Sequence, residues 1–193
     1  MIDTRLAPGL LLAMPQLLDP NFSRSVVLMI EHNDEGSFGL IINQPIELSA
    51  AELLGSMDLD WNGDEDTVVW SGGPVSPTSG WILHEPISAI AASRSATLGS
   101  AETIQVSPDL ELSSSRTALQ MIAREPPSRI RLILGYSGWG PGQLASEMAR
   151  GSWLHADIDA DLVFDTPAEK MWELAIRSVG IDPQTIVQGF GVH

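Results

Sequence analysis

The sequence predicts a protein of the α+β class, in which strands and helices share one domain. Residues 26–30 form a continuous apolar run, and a short turn separates them from a second strand at 38–43, as in a β-hairpin. Residues 129–134 form another strand pattern, which leads into glycines and then a helical pattern. Ser49 and Thr166 each precede a glutamate by three residues, which predicts capping boxes at two helix starts. A chain of 193 residues has the length of one domain.

The other elements follow from apolar runs and from the glycines and prolines between them. Pro108 suits the first turn of a helix, and the Pro126–Pro127 pair ends one. Residues 88–100 predict either a loop or a short strand, and residues 181–193 predict a loop. Helices are predicted at 50–55, 108–123, from 143 onward and at 167–179. Strands are predicted at 9–14, 25–32, 38–43, 67–70, 80–84, 103–106, 129–134, 152–156 and 162–164.

Composition and charge exclude several classes of function. The net charge of −15 argues against direct binding to nucleic acid, because lysine and arginine supply that affinity by neutralising phosphates. It argues equally against docking on an anionic membrane surface. No apolar stretch approaches the ~20 residues of a transmembrane helix. The absence of cysteine excludes disulfides, thiolate metal sites and cysteine nucleophiles. The N-terminus lacks a signal-peptide pattern, so we expect a cytoplasmic protein.

The most prominent local pattern is the glycine-rich loop predicted at 135–143. A dinucleotide-binding motif would need glycine where Gln143 stands, and a P-loop would need a lysine that this segment lacks. A nucleophile elbow around Ser137 fails at Trp139, where it requires glycine. Two interpretations remain. The glycines direct backbone N–H groups at a ligand, or they let Tyr136 and Trp139 pack tightly over the sheet.

Two histidines are candidate catalytic or ligating residues. His32 and His84 both end predicted strands, and each adjoins a glutamate, Glu31 or Glu85. If the two strands are neighbours, the imidazoles converge with a carboxylate and form a base or zinc site. The alternative is that each imidazole forms hydrogen bonds separately at its own strand end. No H-x-H or H-E-x-x-H pattern supports a metal site. We expect neither a metal ion nor a cofactor.

Three tryptophans lie beside glycines at predicted strand ends. Trp70, Trp81 and Trp139 either wall a pocket for a planar or apolar ligand or pack in the core.

Several blocks of the sequence together resemble one protein family. They are residues 10–15 (LLLAMP), 19–22 (DPNF), 31–32 (EH), 39–45 (GLIINQP), 71–75 (SGGPV), 80–84 (GWILH) and 135–144 (GYSGWGPGQL). This set resembles the bacterial YqgE/AlgH family. The resemblance implies a single α+β domain, residues 1–193, with a barrel-like mixed sheet flanked by helices. It implies no defined reaction, although the family name carries a transcription-regulator label. The chain has Ser137 and Ala145 where the family usually has alanine and glutamate.

The sequence thus favours a non-enzymatic cytoplasmic binding or regulatory protein that recognises a small ligand or a protein partner. We expect the site where the turns at 43–45, 71–73 and 137–143 converge. Its candidate residues are Asn43, Gly72, Gly73, Ser137, Gly138, Trp139, Gly140 and Gln143. The alternative is a hydrolase-type enzyme that uses His32 or His84 with a carboxylate. A third hypothesis is an interaction protein that binds its partner through an acidic face, and a homo-oligomer is one form that this protein could take.

Overall fold

The structure, a computed structural model, describes residues 5–88, 94–95 and 103–188. In these ranges the strands are β1 Gly9–Ala13, β2 Val26–Asn33, β3 Gly36–Ile41, β4 Pro45–Ser49, β5 Val68–Ser71, β6 Val75–His84, β7 Arg94–Ser95, β8 Thr103–Ser107, β9 Leu110–Ser113, β10 Ile130–Trp139 and β11 Trp153–Ala156. The α-helices are α1 Ala50–Gly55, α2 Arg116–Arg124, α3 Gln143–Ala149, α4 Ala160–Asp165, α5 Ala168–Ser178 and α6 Pro183–Gln188, and Pro20–Phe22 forms a 3₁₀ turn.

The strands form one mixed sheet in the order β11-β1-β2-β3-β10-β6-β9-β8-β7. A branch leaves this path, because β5 pairs with β10 in parallel and β4 pairs with β5. The order ends at β11 and β7, so the sheet does not close into a barrel. The predicted α+β class, with a mixed sheet flanked by helices, is confirmed.

Strand β10 is the centre of this sheet. Its last three residues pair with β3, while the residues before them pair with β5 and β6. The change of partner coincides with Gly135, whose φ is +73°, and with a register shift between Leu134 and Tyr136. The strand therefore bends and continues through most of the predicted loop at 135–143. That loop prediction is wrong, since only residues 140–142 connect β10 to α3. Glycine allows the bend, so the chain does not need to leave the sheet there.

Three groups of helices bury three apolar clusters against this sheet. Helices α4 and α5 cover the cluster that contains Leu28, Leu83 and Ile133. Helix α3 and the 3₁₀ turn cover a second cluster around Trp139. Helices α1 and α2 cover a third cluster around Leu132. Each cluster removes apolar surface from water, which is the main favourable contribution to folding.

Several predicted elements are confirmed. Strands β2 and β3 pair as the predicted antiparallel hairpin. Helix α1 begins with the predicted capping box, in which Ser49 accepts from the N–H of Glu52 and the Glu52 carboxylate accepts from the N–H of Ser49. These local patterns need no tertiary contact, which explains why the sequence alone was sufficient.

Other predictions were wrong where tertiary pairing overrides the local pattern. Residues 110–113 form strand β9 between β6 and β8, so the helix predicted from Pro108 begins only after Ser115. Residues 162–164 lie in helix α4, which Asp159 caps. The second predicted capping box is also absent, because α5 begins after Pro167 without a side-chain cap bond.

The remaining differences concern elements and segments that the sequence pattern did not resolve. Strand β4 was not predicted, and residues 183–188 of the predicted final loop form helix α6. Most of the segment predicted at 88–100 lies outside the described residues, as does the end of the tail beyond residue 188.

Candidate functional site

Two of the three turns predicted to form the site converge with the bend of β10. The carbonyl oxygen of Gly72 accepts from the N–H of Ile41 at 2.9 Å and from the hydroxyl of Ser137 at 3.0 Å. The N–H of Gly72 donates to the carbonyl of Leu134 at 2.8 Å, and the N–H of Ser71 donates to the carbonyl of Gln44 at 2.8 Å. These bonds tie β3, β5 and β10 together where the strands diverge.

This junction is closed. A Cβ atom at Gly72 would lie 2.4 Å from the carbonyl oxygen of Gly135, and one at Gly73 would lie 2.3 Å from that of Tyr136. Gly73 also has a φ of +145°. Ser137 is fully buried. Gly72, Gly73 and Ser137 therefore fill the space between three strands and leave no room for a ligand among them.

The second half of the glycine-rich segment forms a separate cluster with an aromatic core. The rings of Trp139, Trp153 and Phe22 lie 5.5–5.9 Å apart. One carboxylate oxygen of Glu147 accepts from the indole N–H groups of Trp139, at 3.0 Å, and Trp153, at 2.8 Å. Its other oxygen accepts from the amide of Gln143 at 3.0 Å. The two indole donors, both on buried residues, are thus satisfied by one side chain that sequence analysis did not select.

The other predicted site residues lie outside these two clusters or at their edge. Gln143 also accepts from the N–H of Gly140, which closes the turn into α3. Gly138 is exposed. Asn43 accepts from the N–H of Val26 at 2.9 Å and donates to the carbonyl of Arg24 at 3.0 Å, so its amide holds a turn. The eight candidates therefore do not line one recess.

The two candidate histidines lie at opposite ends of β10. His32 pairs with Ser37, which pairs with Trp139, whereas His84 pairs with Ile130. The two positions are separated by about 30 Å of strand, at about 3.3 Å per residue. The imidazoles therefore do not converge, and each forms hydrogen bonds separately at its own strand end, which was the other interpretation of the sequence. The exposed His32 forms a hydrogen bond of 2.7 Å with the hydroxyl of Ser37.

His84 instead belongs to a buried polar cluster that sequence analysis did not identify. Its Nε2 lies 2.9 Å from the hydroxyl of Ser113, and that hydroxyl lies 2.7 Å from Thr103. Its Nδ1 lies 2.7 Å from the carbonyl oxygen of Glu85 and 3.9 Å from the carboxylate of Glu111. A hydroxyl, an imidazole and a carboxylate are thus adjacent, as in hydrolases, but all three side chains are fully buried.

No metal site accompanies these histidines. Across the described ranges, no group of three or more histidine, cysteine, aspartate and glutamate side chains is placed to hold an ion.

Of the three tryptophans for which a pocket wall or core packing was predicted, Trp70 and Trp81 flank Ile133 and pack against the first apolar cluster, whereas Trp139 belongs to the second. Trp81 packs against Phe38, with ring centroids 4.9 Å apart, and Trp139 lies in the cluster described above. The guanidinium of Arg131 lies 3.8 Å above the ring of Trp70. Burial lowers the pKa of Arg131 to about 10, and the Asp165 carboxylate acts in the opposite direction. The Trp70–Arg131 contact is thus part of the packing between the sheet and α4.

An open recess lies on the other face of β10, between α1 and α2. We call it the α1–α2 cleft. Its volume is about 290 Å³, and its lining residues are Leu53, Met57, Thr78, Gly80, Trp81, Ile82, Ser114, Ser115, Arg116, Leu119, Leu132, Ile133 and Leu134. Gly80 pairs with Leu134, and a Cβ atom at Gly80 would meet only Leu134, at 3.9 Å. The absent side chain of Gly80 therefore leaves part of the cleft open.

Local sequence signals position both helical walls of the cleft. The capping box at Ser49 starts α1, and the two hydrogen bonds from Ser49 lower the pKa of Glu52. Ser115 caps α2 by accepting from the N–H of Ala118 at 3.0 Å. The guanidinium of Arg116 donates to the carbonyl of Met57 at 2.9 Å, which joins the two helix ends. Arg116 is the only charged side chain among the lining residues.

Sequence analysis missed this cleft because it depends on the separation of two helices that are distant in sequence. The one available signal was Gly80, the first residue of the strand predicted at 80–84, because glycine in a strand often marks a place where a ligand or another backbone approaches closely. Within residues 5–88 and 103–188, no helix combines the length and apolar character needed to cross a bilayer.

Known proteins are similar to this chain in both sequence and fold. The family model described as AlgH-like (DUF179) matches residues 10–184. A UPF0301 protein of Myxococcus xanthus is 43% identical over 189 residues, covering 97% of this chain and 98% of the relative. A UPF0301 protein of Methylococcus capsulatus is 41% identical over 180 residues, with coverages of 92% and 90%.

Two solved structures have the same fold as this chain. The crystal structure of a Corynebacterium diphtheriae protein shares the fold, with a TM-score of 0.70 at 23% identity, covering 93% of this chain and 89% of that one. The solution structure of AlgH from Pseudomonas aeruginosa superposes with a TM-score of 0.73 at 30% identity, covering 100% of this chain and 98% of that one. The resemblance seen in the sequence is confirmed, and the chain belongs to the AlgH-like family.

Proposed function

We propose that the protein is a cytoplasmic, non-enzymatic binding or regulatory protein that takes an apolar group of a small ligand or partner protein into the α1–α2 cleft. The observation that carries this proposal is the open space beside Gly80, in a recess with an apolar lining. Sites that bind small molecules are typically concave and mostly apolar, with a few polar groups that fix orientation. The cleft has this composition, whereas the junction at Gly72 and Gly73 is filled.

The polar groups of the cleft favour binding over catalysis. The polar side-chain groups of its lining residues are the hydroxyls of Thr78, Ser114 and Ser115, the indole N–H of Trp81 and the guanidinium of Arg116. None of the lining residues supplies an imidazole or carboxylate for proton transfer. The hydroxyls provide hydrogen bonds, and Arg116 provides a positive charge at the start of α2. These groups suit a ligand that carries an apolar body and an acidic or polar end.

The proposal is tested with two fluorescent probes that differ in one charge. Anilinonaphthalene sulfonate has an apolar ring system and a sulfonate, and N-phenyl-1-naphthylamine lacks the sulfonate. We expect both to bind one site per chain. Gly80→Val places a side chain in the cleft, and its Cβ atom would meet only Leu134, at an ordinary distance. This variant should weaken the binding of both probes at least about tenfold, or 1.4 kcal/mol. Arg116→Gln should weaken the binding of the sulfonate probe more than the binding of the uncharged probe.

Gly138→Val is the matched control. Gly138 also lies in a strand without positive φ, and its Cβ would meet only Tyr136, at 3.5 Å. This variant changes the glycine-rich segment and should leave both affinities unchanged. Equal binding by the wild type and Gly80→Val would contradict the proposal, as would loss of binding in Gly138→Val alone.

A further inference from the structure

We infer that the natural occupant of the α1–α2 cleft is an extended segment of another protein, which adds as a short strand to the exposed edge of β6. This inference rests on the proposed function and names the class of partner.

The edge of β6 beside the cleft has no partner strand among the described residues. On one side, β10 pairs with β6 from Gly80 to His84 and again at Val75, with a register shift between these two parts. On the other side, β9 pairs only with Ile82, Leu83 and His84. The residues before them, including Ser76, Thr78 and Gly80, are exposed. An unpaired strand edge presents backbone N–H and C=O groups that a second chain can pair with.

The course of the chain after β9 creates the space for such a strand. Ser113 pairs with Ile82, so a continued β9 would lie opposite Trp81 and Gly80. The chain instead turns away, because Ser115 caps helix α2. The gap between this helix start and the edge of β6 is part of the cleft. An incoming segment antiparallel to β6 would occupy the place that β9 leaves.

The cleft and the edge together define the chemistry of the segment. Side chains of an added strand alternate between the two faces of the sheet. On the face of Leu134, an apolar side chain enters the cleft, where Gly80 leaves room. The charge of Arg116 favours a carboxylate near that side chain. The partner is therefore a short extended segment with an apolar residue and a nearby acidic residue.

The length of the added strand is limited by the start of β6. Pro77 has no N–H group, and Ser76 has a φ of +44°. Proline and irregular backbone are devices that blunt strand edges against indiscriminate pairing. The regular part of the free edge is therefore Gly80 and Trp81, and Thr78 and Ser79 extend it through the irregular stretch, which suits about four residues of a partner at most.

The test selects displayed seven-residue linear peptides on the full-length protein, with counter-selection on Gly80→Val. The affinity of each selected peptide is then measured after methylation of one backbone nitrogen at a time. Because every second residue of a paired strand directs its N–H to the neighbour, methylation should weaken binding at least about tenfold at alternate positions and little between them. Amide hydrogen exchange at residues 78–81 should slow on binding, while that at 139–143 should not change.

Other outcomes separate this inference from the proposed function. Selected peptides that bind as helices, or whose affinity does not respond to methylation, would overturn it. A different outcome is that the naphthalene probes bind, Gly80→Val abolishes their binding, and no peptide is enriched on the wild type. In that case the cleft binds a small ligand, and only this inference fails. If the wild type dimerises and Gly80→Val makes it monomeric, the occupant is a second copy of the chain, and the inference is also wrong. If neither probe nor peptide binds, both proposals fail.

Discussion

The glycine-rich segment at 135–143 and the α1–α2 cleft adjoin the same bend of β10, yet the part of the segment that meets Gly72 and Gly73 is filled and the cleft is open. In the segment, Ser137 donates a hydrogen bond to Gly72, and Trp139 and Gln143 both donate hydrogen bonds to Glu147. The cleft has few distinctive residues, and its main feature is a missing side chain at Gly80. A prominent sequence motif can therefore report demanding packing, while a binding recess can arise from ordinary apolar residues.

The largest effect that sharpens this comparison is expected at Gly73. Gly73→Ala places a Cβ atom 2.3 Å from the carbonyl oxygen of Tyr136 at a position with positive φ. The free energy of unfolding, measured by urea denaturation, should fall by more than about 3 kcal/mol. The control is Gly142→Ala, because Gly142 has a φ of +72° but nothing near its Cβ position. In that variant the free energy of unfolding should fall by only about 1–2 kcal/mol, which is the cost of the left-handed backbone conformation for alanine. Equal losses would show that the junction is not tightly packed.

A smaller loss is expected when the carboxylate in the aromatic cluster is removed. Glu147→Ala leaves the indole N–H groups of Trp139 and Trp153 without their acceptor. Thermal and urea unfolding should show a loss of about 2–4 kcal/mol, since unsatisfied buried donors retain their desolvation cost. Glu147→Gln keeps one acceptor oxygen and should lose less. Probe binding in the cleft should be the same in both variants; a selective loss of binding would place the ligand at the glycine-rich segment.

The smallest effect is expected at Ser137, the residue that a nucleophile elbow would require. Ser137→Ala removes one hydrogen bond to the carbonyl of Gly72, which still accepts from Ile41. We expect a loss of about 1 kcal/mol in unfolding free energy and unchanged probe affinity. A large loss of binding or of any hydrolytic activity in this variant would reverse the roles assigned to the two regions.

Local signals were enough to predict much of the fold but little of the candidate site. The hairpin of β2 and β3 and the Ser49 cap depend on neighbouring residues and were predicted correctly. Strand β9 depends on pairing with β6 and β8, so its sequence was read as helix. Ser115 is a local cap signal for α2, but the cleft also depends on the pairing of β9 with β6, which sets the distance between α2 and β6 and is not a local signal. Glycines mark both regions in the sequence. A glycine that leaves space, such as Gly80, cannot be distinguished by sequence alone from one that allows close contact, such as Gly73.

The most direct test of the central claim is an amide chemical-shift map of the ¹⁵N-labelled full chain, titrated with anilinonaphthalene sulfonate. We expect the largest shifts at residues 78–82, 114–119 and 132–134, which contain most of the lining residues of the cleft, and small shifts at 139–143. Shifts concentrated at 139–143, with the cleft residues unchanged, would contradict the account and return the binding site to the glycine-rich segment.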